Sequence, residues 1–160
     1  MQNLFLSGAQ LVISIVTAAI VAYLSVWLFD HTTRNIDEWT ELRKGNVAVG
    51  IVLGALIFGV AIILHPALAP VSIGLDVGPA NDVAYRLLIQ LLQILVGLFL
   101  AVVSIGLSLW IFTRLTGAID EWAEIGRGNV AIAAVLAGVI IATALISSTA
   151  LDSILGLILH

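Results

Sequence analysis

The sequence predicts an all-α membrane protein with four transmembrane helices arranged as two parallel two-helix repeats. Three observations carry that expectation. Four long runs of the chain are apolar and uncharged. Only 10% of the 160 residues are charged while 61% are hydrophobic, where a soluble domain carries about 25% charged residues. Finally, the second half reproduces the first at a constant offset of 83 residues. So few charges cannot clothe a water-facing surface, so lipid must cover most of it. The length suits one compact membrane domain.

A spanning helix needs about 20 mostly apolar residues. The runs Leu4–Phe29, Val47–Leu64, Leu87–Phe112 and Val130–Leu151 each approach or exceed this. No basic residue precedes the first run, so it reads as a retained span rather than a cleaved leader. All three prolines, Pro66, Pro70 and Pro79, fall between the second and third runs with Gly74 and Gly78, and proline interrupts helices. The expected organisation is therefore a first repeat over 1–64, a Pro/Gly-containing loop over 65–86 and a second repeat over 87–160. Asn81 or Asp82 is suited to cap the third span.

Basic residues set the expected orientation. Arg34, Arg43 and Lys44 lie between spans one and two, Arg114 and Arg127 between three and four, and Arg86 alone lies on the opposite side. The positive-inside rule then puts both short loops in the cytoplasm, with the termini and the proline-containing loop outside. Trp27, Trp39, Trp110 and Trp122 all fall at the cytoplasmic ends, where indole rings favour the headgroup layer.

The repeat is sharpest in those short loops. Ile36-Asp37-Glu38-Trp39-Thr40-Glu41 recurs as Ile119-Asp120-Glu121-Trp122-Ala123-Glu124, and Lys44-Gly45-Asn46-Val47-Ala48 as Arg127-Gly128-Asn129-Val130-Ala131. Each copy crosses the membrane twice, so the copies share one orientation. The stretch from Asp37 to Lys44 reads as a short helix on the membrane surface. Ile36, Trp39 and Leu42 would dip into the interface while Asp37, Glu38 and Glu41 face water. Glu41 can reach Lys44 at i+3, Gly45 suits a left-handed C′ position, and Asn46 suits a cap of the next span. Gly128 and Asn129 would act likewise. Turn chemistry alone accounts for the Gly-Asn pairs. The carboxylates Asp37, Glu38, Glu41, Asp120, Glu121 and Glu124 read either as solvated faces or as two patches able to bind a cation or a basic partner. Gathered into a ring, they could favour cations at a pore mouth.

Within the spans, small residues recur four apart: Gly50 and Gly54, Ala55 and Gly59, then Ala134, Gly138 and Ala142. This spacing lets helix backbones approach closely, within a protomer or between protomers. No Asp, Glu, Lys or Arg lies mid-span, which argues against a proton-coupled carrier. Gln10 and Gln93 form the main intramembrane polar pair, read as an interhelical hydrogen bond or, more sharply, a pore-lining or quinone-like contact. Asp152 falls near the outer surface. His31, His65 and His160 have no metal-ligand spacing. With no cysteine, thiolate metal sites and thiol nucleophiles are excluded. There is no phosphate loop, nucleophile elbow or zinc motif. No catalytic residue, metal or cofactor is expected, nor nucleic-acid binding at a net charge of −4.

The repeated Glu…Lys/Arg-Gly-Asn-Val-Ala signature followed by a Gly-rich apolar helix resembles the domain of unknown function 350 family, the YjfL-like bacterial inner-membrane proteins. It rests on Gly45-Asn46-Val47-Ala48 and Gly128-Asn129-Val130-Ala131, with Glu41 and Glu124 upstream, and covers nearly the whole chain. It implies paired membrane helices and no particular activity. It also implies an association with envelope-stress (PspA-like) and glutathionylspermidine-synthase-like proteins. Gly126, where the other half has Arg43, departs from the pattern and makes the two patches unequal. Two functions stay open. One is a structural or scaffolding protein of the inner membrane, a homo-oligomer or a subunit beside other membrane proteins. The other is an oligomeric channel for ions or small cations with an acidic cytoplasmic mouth.

Overall fold

The computed structural model describes residues 2–33, 37–68, 81–117 and 119–158, and the side chains of these except 2–7, 9, 10, 81–87, 157 and 158. The described chain is helical and contains no strand. Its elements are α1 (Gln2–Thr32), α2 (Glu38–Arg43), α3 (Val47–Leu68), α4 (Asn81–Leu115), α5 (Glu121–Gly126) and α6 (Val130–Ile158). Helices α1, α3, α4 and α6 each hold a stretch long and apolar enough to cross a membrane. The repeat register pairs α1 with α4, α2 with α5 and α3 with α6.

The helices flanking the inter-repeat connection extend beyond the spans the sequence suggests. Helix α3 runs through His65 and Pro66 to Leu68, and α4 begins at Asn81. Residues 65–68 and 81–86 of the loop expected over 65–86 are therefore helical, and residues 69–80, with Pro70, Gly74, Gly78 and Pro79, lie outside the described residues. Pro66 stands inside the final turn of α3, where it removes the bond its N–H would make to the Ile62 carbonyl and crowds that carbonyl, so it weakens the end of the helix without stopping it.

Helix α3 is the hub. Its spanning window is 56% buried, against 22% for α1, 28% for α4 and 33% for α6. It packs on α1, α4 and α6, while α4 packs on α3, α6 and α1. Val52, Leu56 and Ile63 of α3 meet a core completed by Ile105 and Leu109 of α4 and Leu136, Ile140 and Leu151 of α6. Lipid tails offer no hydrophobic gain for helix association, so close van der Waals packing must supply it. Two glycines permit that approach. A Cβ at Gly59 would lie 2.9 Å from Ile140 Cγ2, and one at Gly97 would lie 2.8 Å from Leu64 Cδ2.

Hydroxyls inside the bundle are bonded locally. Ser25 donates to the Val21 carbonyl at 2.8 Å and Ser104 to the Leu100 carbonyl at 2.6 Å. Ser108 and Thr143 share a bond of 2.7 Å that ties α4 to α6.

The small-residue motifs divide. Ala55 and Gly59 are buried within the bundle. Ala134, Gly138 and Ala142 face outward along α6, and a Cβ at Gly138 or Gly54 would touch nothing. Gly59→Ala is expected to lower the free energy of unfolding in detergent micelles by about 1–3 kcal/mol, the usual cost of overpacking. Gly54→Ala is expected to leave it unchanged or raise it, by up to about 1 kcal/mol from helix propensity.

Candidate functional site

The duplicated turn is the place where sequence identity between the halves is most concentrated, and its geometry repeats nearly atom for atom. Asp37 caps α2: its Oδ1 accepts from the Thr40 N–H at 3.1 Å and its Oδ2 from the Thr40 hydroxyl at 2.8 Å. Asp120 caps α5, accepting from the Ala123 N–H at 3.0 Å. These bonds hold the Asp37 carboxyl below the usual carboxylate range.

Both short helices end in Schellman turns. The Asn46 N–H reaches the Glu41 carbonyl and the Gly45 N–H the Leu42 carbonyl, each at 3.0 Å; Asn129 to Glu124 and Gly128 to Ile125 repeat this at 2.9 Å. The motif needs a left-handed residue at C′. Gly45 and Gly128, at φ 79° and 85°, supply it. The Asn46 Oδ1 then accepts from the Ala48 and Val49 N–H groups at 3.1 and 3.3 Å, and the Asn129 Oδ1 from Ala131 and Ile132 at the same distances. Each asparagine thereby caps its spanning helix.

Glu41 and Glu124 lock these turns. One oxygen of Glu41 pairs with Lys44 Nζ at 2.7 Å and the other accepts from Asn46 Nδ2 at 3.0 Å. Glu124 does the same with Arg127 at 2.8 Å and Asn129 at 2.9 Å. Bonds from Lys44 and Asn46 hold the Glu41 carboxyl below its usual range, and bonds from Asn129 and Arg127 do so for Glu124. Hydrogen bonding to the charged form is the dominant cause.

The remaining carboxylates correct the sequence reading. Glu38 and Glu121 were expected to face water, but each is only 4% exposed. The inward face of each short helix includes its first residue. Glu38 lies against the Asp30 carboxylate on α1. Burial, followed by the hydrogen bond and charge of Asp30, pushes its carboxyl above the usual range. Glu121 is bonded instead to the Thr116 hydroxyl. Each expected patch therefore splits into an exposed cap, a turn lock and a buried carboxyl.

The two turns also touch. Asn46 Nδ2 donates to the carbonyls of Ile125 and Gly126, both at 3.1 Å. Trp122 of α5 packs edge-on to Phe29 of α1, with ring centroids 6.3 Å apart. Trp39, in contrast, is 58% exposed. Ile36 lies outside the described residues.

Of the intramembrane pair, Gln93 is buried; the Gln10 side chain lies outside the described residues. Sequence reasoning missed Gln90, one turn before Gln93, which is also buried and whose Nε2 has no hydrogen-bond partner among the described residues. The i, i+3 spacing from Gln93 places both on one helix face and is the signal that could have found it. Asp30 was missed too, since it reads as the end of an apolar run. Among the described residues no three His, Cys, Asp or Glu side chains gather as a metal site.

A family model described as Domain of Unknown Function (DUF350) matches residues 2–99 and again residues 86–159. No curated protein and no solved structure matches the chain.

Among the described residues Asn46 bonds across the repeat boundary and Asn129 does not, although both cap. Asn46→Ala is therefore expected to cost about 2 kcal/mol of stability and Asn129→Ala about 1 kcal/mol, measured by unfolding in detergent micelles.

Proposed function

We propose a structural role for this chain, which belongs to the DUF350 family: it is a scaffolding subunit of the inner membrane that self-associates through α6. One observation carries the reading. Ala134, Gly138 and Ala142 form an exposed stripe of small residues on α6, whereas Ala55 and Gly59 on α3, the repeat counterparts of Gly138 and Ala142, are buried. Helix α4 packs against that central helix, but α1, the counterpart of α4, packs on α3 and α4. The duplicated design thus leaves one small-residue face without its helix, and such faces favour close backbone contact in lipid. A second copy is the available helix of matching shape.

The role is non-catalytic and needs no cofactor. The basic residues of the short loops support a cytoplasmic placement of both turns. The association implied by the family resemblance supports a link to envelope maintenance.

The alternative, an oligomeric cation channel, draws on the acidic turns. It is weakened because Glu41 and Glu124 already spend both oxygens on bonds within their own turns.

The chain has no cysteine, so a single introduced thiol reports proximity directly. Ala134→Cys in native membranes is expected to form a disulfide-linked dimer on mild oxidation, and adding Gly138→Leu is expected to abolish it. Monomer alone from Ala134→Cys, with folding intact, would contradict self-association through this face.

A further inference from the structure

The second repeat holds an open groove whose counterpart in the first repeat is filled. Between α4 and α6 lies a cavity of about 440 Å³, walled by Ser104 and Ile111 of α4 and by Val139, Thr143, Ile146 and Ser147 of α6. The offset of 83 residues maps these positions onto Val21 and Leu28 of α1 and Leu56, Val60, Ile63 and Leu64 of α3. Every one of those counterparts is buried. Ile111 and Ile146 are 43% and 71% exposed, whereas Leu28 and Ile63 are 3% and 0% exposed.

Helix α4 fills the first groove. It packs on both α1 and α3. A Cβ at its Gly106 would lie 3.8 Å from Leu28 Cδ1, and its Gly97 lies against Leu64. On the same helix Ile94, Ala101 and Ile105 are buried. By the repeat register α1 is the second helix of this kind, and it offers Leu11, Ser14, Ala18 and Ala22 where α4 has Ile94, Gly97, Ala101 and Ile105. That face of α1 is unused: Leu11 is 62% exposed where Ile94 is 4% exposed, and Ala18 and Ala22 are exposed. Each chain thus carries an empty groove and, elsewhere, an unpartnered copy of the helix face that fits such a groove.

The two surfaces also match in chemistry. Within the chain Gly97 meets Leu64. The equivalent contact between copies sets Ser14 against Ser147, a hydroxyl on each side. Serine side chains bond across helices in lipid, and small residues four apart, here Ser14, Ala18 and Ala22, let backbones approach closely.

We propose that α1 of a second copy of this chain seats in the groove between α4 and α6, continuing from copy to copy the packing that joins the two repeats within the chain. The repeats share one orientation, so successive copies share it too. Groove meets ridge head-to-tail, which builds a ring or an open row. The contact rests on self-association of this chain and adds a second surface to it. Thr143 in the groove lies about 140° round α6 from Gly138 in the small-residue stripe.

The test co-expresses a Ser14→Cys chain and a Ser147→Cys chain with different tags and oxidises native membranes mildly; the sequence has no other thiol. A mixed disulfide joining the two tags is expected, and neither variant alone is expected to dimerise. Ala18→Phe added to the Ser14→Cys chain alters an exposed position, leaves the bundle folded and is expected to abolish the mixed disulfide. Absence of the mixed disulfide from folded, inserted chains would overturn the proposal. If Ala134→Cys still dimerises in that case, self-association through the stripe stands without it. A mixed disulfide that survives Ala18→Phe, or Ser147→Cys linking to itself, would overturn the assignment of α1 as the occupant.

Discussion

The structure depends on how the chain turns back at the membrane surface without leaving backbone groups unbonded. A surface helix must end and a spanning helix begin within a few residues, and bare carbonyls and N–H groups there would be costly near hydrocarbon. The solution is one compact unit. Glycine takes the left-handed turn, asparagine closes the Schellman bond with its backbone and caps the next helix with its side chain, and glutamate ties that same asparagine to a basic residue. Without this lock α3 would lack a defined start, and α3 is the helix around which the others pack.

Duplication supplied the lock twice, and the copies have since come to do different work. The Asn46 amide reaches across to the Ile125 and Gly126 carbonyls, joining the two hairpins. Glu38 faces a carboxylate where Glu121 meets a threonine hydroxyl. α4 covers α3 and α6 together, whereas α1 lies against α3 and α4. The result is an asymmetric bundle from a symmetric sequence, with one open small-residue face on α6 and one open groove between α4 and α6. Both features arise from that same imbalance in helix packing.

The architecture was legible because its signals are long. Four apolar runs and a gapless repeat each average over many residues, and the Gly-Asn turn has a conformational demand that few residue types meet. The burial of Glu38 and Glu121 was not legible. A helix of 6 residues has too few turns for periodicity to fix its inward face, so charge suggested water where packing placed a neighbour. The end of α3 lies beyond the expected one because proline was read as a stop, whereas here the helix continues two residues past Pro66 despite the donor it removes. The pairing of Asp30 with Glu38 joins α1 to α2, which spacing along the chain does not reveal. The outward stripe on α6 was visible as spacing, but which of the two stripes would be used internally depends on the final packing.

The central claim is that the carboxylates of the duplicated turns hold the fold rather than line a path for ions. The direct test is cation flux into proteoliposomes, with unfolding followed in parallel, for wild type and the Glu41→Gln, Glu124→Gln double variant. The account predicts a lowered unfolding midpoint in the variant and flux at the empty-vesicle background for both proteins. Flux through wild type that falls in the variant while the unfolding midpoint stays put would contradict it.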